Sequence, residues 1–269
     1  MRAVDVHSKR LAARAIIACV GLVCVGSSMA PASTQGVSKR FTAVAFDYLV
    51  LFNPDSIVSA VDQVAPGKGW DFIALWRARQ FEYCWLRSMT DRYVDFDRIT
   101  EDALTYTAKT MHVAVAESQK RALLDAYRHL APWPDTARAL ARLRQLDVRI
   151  ITIANFSPAM LRSNAEHAGL MSLFDALIST DANRSFKPDR RAYQLGVDYL
   201  GVPADNIVFA AFGGWDAAGA KSFGYPTVWV NRLHQEPEEL GVQPDRIVPD
   251  LDGLLEFMKG APADQSQVN

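Results

Sequence analysis

The chain has almost no excess charge of either sign: 29 lysines and arginines stand against 30 aspartates and glutamates, a formal net charge of −1. That balance removes the electrostatic case for nucleic acid or an anionic membrane as partner. There is no block of like charges that would read as an interaction tail. Cysteine is scarce. Of three, Cys19 and Cys24 fall near the N-terminus and only Cys84 lies in the body of the chain. Cleavage between them would leave no pair for an internal disulfide, so a disulfide framework is excluded. No internal repeat is present. The N-terminal apolar run, residues 15–26, is shorter than the ~20 residues a membrane-spanning helix needs.

That run has Arg2, Lys9, Arg10 and Arg14 before it and Ser27, Ser28, Ala30 and Ala32 after it. A positive region, a short apolar region and small residues describe a signal peptide over residues 1–32. The expectation is a periplasmic or secreted protein with no stable membrane association after cleavage. An uncleaved anchor is the alternative.

The body of the chain is organised around Phe41-Thr42-Ala43-Val44-Ala45-Phe46-Asp47. A short apolar run rich in Val and Phe predicts a buried strand. A carboxylate at its end is costly if buried without partners. In open α/β sheets, ligands sit beyond the carboxyl ends of the strands. Asp47 is therefore either a nucleophile or a cap of the next helix.

Residues 53–131 read as mostly helical. Helices are expected over 72–89, over 100–110 with Thr100 as cap, and over 117–130. From Pro132 onward the pattern alternates. Strands are expected at 148–153, 174–179, 207–211 and 227–230. The helices between them, 158–168, 190–200 and 217–223, end at Gly169, Gly201 and Gly224. A further helix carrying Leu140 and Leu143 has Asp135 placed to cap it. Repeated strand–helix units imply a doubly wound parallel sheet covered on both faces. The expected architecture is an α/β core, residues 40–53 plus 132–259, with an inserted helical cap, 54–131. The side of the aromatic helix carrying Trp76 and Trp85 reads as exposed, which makes it the expected contact of a homodimer.

Asp47, Asn155, Lys187 and Asp216 all follow expected strand ends, which converge on one crevice in such a sheet. A lysine near two carboxylates keeps them ionised. An ionised carboxylate is what a nucleophile at carbon must be. Arg77, on the insert, brings a second cation suited to an anionic leaving group.

At these residues the chain resembles the haloacid dehalogenase superfamily, specifically the 2-haloacid dehalogenases. The likeness is carried by Ala45-Phe46-Asp47, Leu75-Trp76-Arg77, Gln80-Phe81-Glu82-Tyr83-Cys84-Trp85-Leu86-Arg87-Ser88, Phe186-Lys187-Pro188-Asp189 and Trp215-Asp216-Ala217-Ala218-Gly219-Ala220. The resemblance implies hydrolytic dehalogenation of a short (S)-2-haloalkanoic acid to an (R)-2-hydroxy acid, without metal or organic cofactor. Asp47 would form an ester with the substrate, Arg77 receive the halide, Lys187 hold the nucleophile and substrate carboxylate, and Asp216 assist water. Tyr193 would support the charged cluster. Tyr48, Phe96, Asn155 and Trp215 would contact the substrate.

Phosphatases of the superfamily carry a second Asp two residues after the nucleophile, to protonate an alkoxide leaving group. Here that residue is Leu49. A halide needs no proton, so the change harms ester hydrolysis far more than dehalogenation. Other departures remove neutral hydrogen-bonding groups. Val50 stands for a threonine, Ala154 and Ala211 for serines, Gly213 for an asparagine and Ala78 for a glutamine that lines the substrate site. The alternative function is therefore a degenerate member that binds a small organic anion.

Overall fold

The sheet is built from strands too short and too apolar to stand alone. β1 (Ala43–Phe46) is buried at every position, as is β4 (Ile207–Ala211). Strands buried on both faces read as continuous apolar runs, as those of parallel sheets do. In the computed structural model, which describes residues 41–260, β1 lies between β4 and β2 (Arg149–Ala154). Beyond them come β3 (Ala176–Ser179) on one side and β5 (Thr227–Val230) and β6 (Arg246–Val248) on the other. The order is β3-β2-β1-β4-β5-β6, and every neighbouring pair is parallel. The order reverses direction at β1, the switch point where a doubly wound sheet opens its ligand crevice.

Helices cover both faces. Val44, Phe46, Ile150 and Val208 pack on one side, with α6 (Thr136–Gln145) and α10 (Leu251–Met258). Ala43, Ala45, Ile151 and Phe209 pack on the other, with α8 (Arg190–Leu200) and α9 (Gly214–Phe223). α7 (Pro158–His167) follows β2, with Ser157 as its cap. Gly201 ends α8 in the left-handed region, at φ +67°, which a residue with a Cβ adopts only under strain.

Between β1 and β2 the chain forms α1 (Tyr48–Leu51), a 3-10 turn (Pro54–Ile57), α2 (Val58–Val64), α3 (Gly69–Met89), α4 (Phe96–Thr110) and α5 (Glu117–Ala126). Polar contacts help tie this helical insert to the sheet layer. Tyr93 donates its hydroxyl to Asp181 at 2.5 Å, and Ser157 donates its own to Asp97.

Several expectations are corrected here. α4 starts at Phe96 and is capped by Asp95, whose carboxylate accepts the Arg98 N–H. Thr100 is interior, because its hydroxyl bonds the Phe96 carbonyl one turn back. Asp135 stands at the start of α6, but its carboxylate goes to Arg232 and to the Leu251 N–H. Trp76 is wholly buried, its indole N–H on the Thr100 carbonyl, so the exposed apolar residues of α3 are Trp70, Leu86 and Met89. β6 and α10 are additions to the sequence reading. The expected signal peptide, residues 1–32, lies outside the described residues. No helix among the described residues is long and apolar enough to cross a membrane.

Candidate active site

β1 ends at Phe46, and the Asp47 N–H completes the sheet pairing by donating to the Ala210 carbonyl at 2.9 Å. The carboxylate then does two things. Oδ1 accepts the Leu49 N–H at 2.8 Å, capping α1, and Oδ2 accepts from Lys187 Nζ at 2.5 Å. The cap and the charged cluster thus use different oxygens of one residue.

Lys187 is fully buried. Its ammonium lies between Asp47 and Asp216, with Asp216 Oδ2 at 2.7 Å. Its backbone N–H donates to Asn155 Oδ1 at 2.8 Å, and its Nζ is 5.2 Å from the centre of the Phe209 ring. Tyr193 donates its hydroxyl to Asp216 Oδ1 at 2.7 Å. The two carboxylates share one ammonium, which leaves one net negative charge. Burial alone would lower the lysine pKa, but Asp216 and Asp47 together outweigh it and hold the ammonium above its ordinary range. Asp216 accepts at both oxygens, from Lys187 and from Tyr193. Burial pushes its pKa up to about 6, against the pull of Lys187. Burial and then Asp216 raise the Tyr193 phenol well above its usual value, so it stays a donor.

Small residues make this approach possible. A Cβ added at Gly219 would lie 2.5 Å from the Tyr193 hydroxyl and 2.8 Å from Pro188 Cβ. One at Gly213 would lie 2.7 Å from Trp215 Nε1. Trp215 is held in turn by Phe81 and Trp85, at ring-centre distances of 5.1 and 5.5 Å.

A cavity of about 560 Å³ opens over Asp47, with Arg77, Leu49, Ala78 and Trp215 among its lining residues. Asp47 is thus the member of the charged cluster that faces open space. Arg77 reaches the cavity from α3, but its Nη1 is paired with Asp55 Oδ1 at 2.7 Å.

The other expected substrate contacts divide. Trp215 lines the cavity. Asn155 and Tyr193 are buried beneath it, holding Lys187 and Asp216. Tyr48 is core: it donates to the Leu161 carbonyl at 2.8 Å and stacks on Phe52. Phe96 is core as well, stacked on Phe156 at 4.9 Å. Neither ring lines the cavity. Val50, Ala154 and Ala211 are buried and supply no side-chain donor. Two features escaped the sequence reading. Asp55 follows a proline in a turn, and nothing local marks it as an arginine's partner. The loop carrying Leu233, Glu236 and Glu238, which forms the cavity mouth, has no periodicity to read. Among the described residues no group of three or more His, Cys, Asp or Glu side chains is placed to hold a metal ion.

A family model described as haloacid dehalogenase-like hydrolase matches residues 7–224. The chain is 39% identical over 219 residues to an (S)-2-haloacid dehalogenase of Pseudomonas sp. (strain YL), covering 81% of this chain and 94% of that one. It is 37% identical over 221 residues to haloacetate dehalogenase H-2 of Moraxella sp. (strain B), covering 82% and 99%. Among solved structures, the L-2-haloacid dehalogenase from Xanthobacter autotrophicus with chloropropionic acid covalently bound matches with a TM-score of 0.78 and 34% identity, covering 82% of this chain and 100% of that one. With a parallel sheet of this order, a carboxylate at the end of its central strand and relatives aligned over four-fifths of the chain, the protein belongs to the haloacid dehalogenase-like hydrolases.

Proposed function

We propose that the protein hydrolyses the carbon–halogen bond of (S)-2-haloalkanoic acids, giving (R)-2-hydroxy acids. The observation that carries this reading is the Lys187 ammonium pinned between Asp47 and Asp216 below a cavity onto which Asp47 opens. The ammonium orients Asp47 through its hydrogen bond to Oδ2. Asp47 attacks the halogen-bearing carbon from the side opposite the halogen. A carboxylate oxygen–carbon bond forms, the carbon–halogen bond breaks and the halide leaves with the electron pair. Inversion at that carbon turns an (S) substrate into an (R) ester. Arg77 faces the departing halide. Water then attacks the Asp47 acyl carbon, one proton going to Asp216, whose pKa of about 6 suits a base working near neutrality. As the acyl carbon–oxygen bond of the ester breaks, that proton passes to the departing alkoxide, which leaves as the 2-hydroxy acid. The second proton of the water is lost to solvent as the Asp47 carboxylate is restored. Leu49 offers no acid, and a halide leaving group needs none.

The test is halide release from (S)- and (R)-2-bromopropionate by protein starting at Ser33, beside Asp47→Ala. Release from the (S) acid alone, lost in Asp47→Ala, supports the assignment. Release that survives the substitution refutes it. Turnover in ¹⁸O-labelled water adds a separate check, since an ester intermediate leaves the label in the Asp47 carboxylate.

A second reading is favoured by Val50, Ala154, Ala211 and Gly213, whose own side chains offer no hydrogen-bond donor near the charges. It makes the protein a binder of small organic anions, held by Arg77 and Lys187. Saturable binding of 2-bromopropionate by folded protein, with no halide released, would select it. Residues 1–32 are read in either case as an export signal. A homodimer through α3 would use Leu86 and Met89, two of its exposed apolar residues.

A further inference from the structure

We propose that the preferred substrates are 2-haloacids whose side chain is apolar and longer than a methyl group, and that Ala74 and Ala78 set this preference. The inference rests on the dehalogenase reading and names the substrate class of the same site.

Room is the first argument. 2-Bromopropionate has six heavy atoms and fills on the order of 120 Å³, taking ~30 Å³ for each of about four water-sized volumes. The cavity over Asp47 holds about 560 Å³. Once a three-carbon acid is seated, several further carbons fit.

The walls are the second argument. Ala74 and Ala78 are one turn apart on α3 and present the same face to the cavity. Neither side chain extends beyond Cβ, so the helix gives space where a longer residue would take it. Phe81, a turn further along α3, shares that face, and Leu49, Phe212 and Trp215 from outside the helix complete the apolar lining. Phe81 and Trp215 pack on each other, and Gly213, without a Cβ, leaves room for the Trp215 indole nitrogen. This is a firm apolar wall, and burying apolar surface on it drives binding. A substrate with only a methyl group would leave most of that wall against water.

The mouth is the third argument. Glu236 and Glu238, both exposed, line its edge. Two carboxylates there oppose a second anionic group on the substrate. The far end of the side chain is therefore a plain hydrocarbon, and a 2-halodicarboxylate of equal length is a poor substrate.

The experiment measures kcat/KM for halide release from 2-bromopropionate, 2-bromobutyrate, 2-bromohexanoate and 2-bromoadipate, with the native protein and with Ala78→Phe and Ala74→Leu. Each buried methylene is worth roughly a factor of three to four. The expected result is a rise of at least about tenfold from three carbons to six, 2-bromoadipate falling well below 2-bromohexanoate, and a six-to-three-carbon ratio that drops at least about fivefold in either variant. Two variants are used so that one that misfolds, seen by circular dichroism, leaves the other to decide. Halide release from 2-bromopropionate that falls with chain length, or a ratio unmoved by both substitutions, overturns the inference and leaves the dehalogenase reading standing. No release from any of the acids by folded protein refutes both.

Discussion

Asp55 Oδ1 accepts a hydrogen bond from Arg77 Nη1 at 2.7 Å, so the cation facing the cavity is already paired. Both side chains are largely shielded, at 18% exposure for Arg77 and 13% for Asp55. The pair is thus less screened than a surface bridge. Asp55 holds Arg77 in place and takes up part of its charge, which under the proposed mechanism would weaken its grip on a departing halide.

Asp55→Asn keeps the shape and removes the charge. Bromide should then inhibit turnover about fivefold more strongly, the equivalent of ~1 kcal/mol. Inhibition constants for bromide in the two proteins check this. Weaker bromide inhibition in Asp55→Asn would show that the carboxylate matters for placing Arg77 more than for tempering it.

Lys187→Met should be the most damaging substitution at the site. It leaves Asp47 and Asp216 facing each other with no cation between them. Breaking a buried ion pair from one side costs about 3–5 kcal/mol. The loss should be largest near pH 8 and shrink toward pH 5, because protonating a carboxylate relieves the repulsion. Urea unfolding of native and variant protein at the two pH values tests it, and a pH-independent loss would contradict it.

The raised pKa of Asp216 has a signed consequence. Between its ordinary value of 3.8 and about 6, the folded protein holds a proton that the unfolded chain has released. Stability from this group is present below that window and declines as pH rises through it, by up to about 3 kcal/mol at ~1.36 kcal/mol per pKa unit. Turnover should run the other way, falling below pH ~6 as Asp216 takes up its proton. The difference in unfolding free energy between native protein and Asp216→Asn, followed from pH 4 to 7, checks the first. The acid limb of the pH–rate profile checks the second.

Two of the missing polar groups should respond differently to being restored. Ala154→Ser places a hydroxyl at the end of β2. One recovered bond to a charged group, at ~1.5–3 kcal/mol, would raise kcat/KM about tenfold or more. Gly213→Asn should not help, since its Cβ would sit 2.7 Å from Trp215 Nε1. Displacing that ring would cost about 1–3 kcal/mol and lower activity. Steady-state kinetics and thermal unfolding of both variants test the contrast.

Export gives a prediction independent of catalysis. Full-length chain expressed in a Gram-negative host should yield periplasmic protein with a mass that starts at Ser33. Recovery of the intact N-terminus from the cytoplasmic fraction would refute it.

The sheet was largely legible because its strands announce themselves. β4 and β5 lie where the apolar runs lie, and α8 ends at the glycine that marks it. β6 was not legible, because three residues at a sheet edge, with Ile247 exposed, carry no pattern to read. Asp47, Lys187 and Asp216, expected beyond strand ends, do converge in one cluster, while Arg77 comes from α3. Tyr48 and Phe96 were misread because a residue's chain position beside the site does not tell which way its ring turns. The tyrosine's hydroxyl went to a helix carbonyl, and the phenylalanine stacked on another ring. Asp55 and the mouth loop were invisible for a related reason. Their role exists only once distant segments meet.

Gly219 has no side chain to offer the reaction, yet Tyr193 and Pro188 lie where its first carbon would go. A fragile point of the machinery is therefore a position with no chemistry at all. One added methyl group would pry the tyrosine from Asp216 as surely as removing its hydroxyl. Searches for lost function in variants of this chain should weigh that silent residue as heavily as the acids it lets come together.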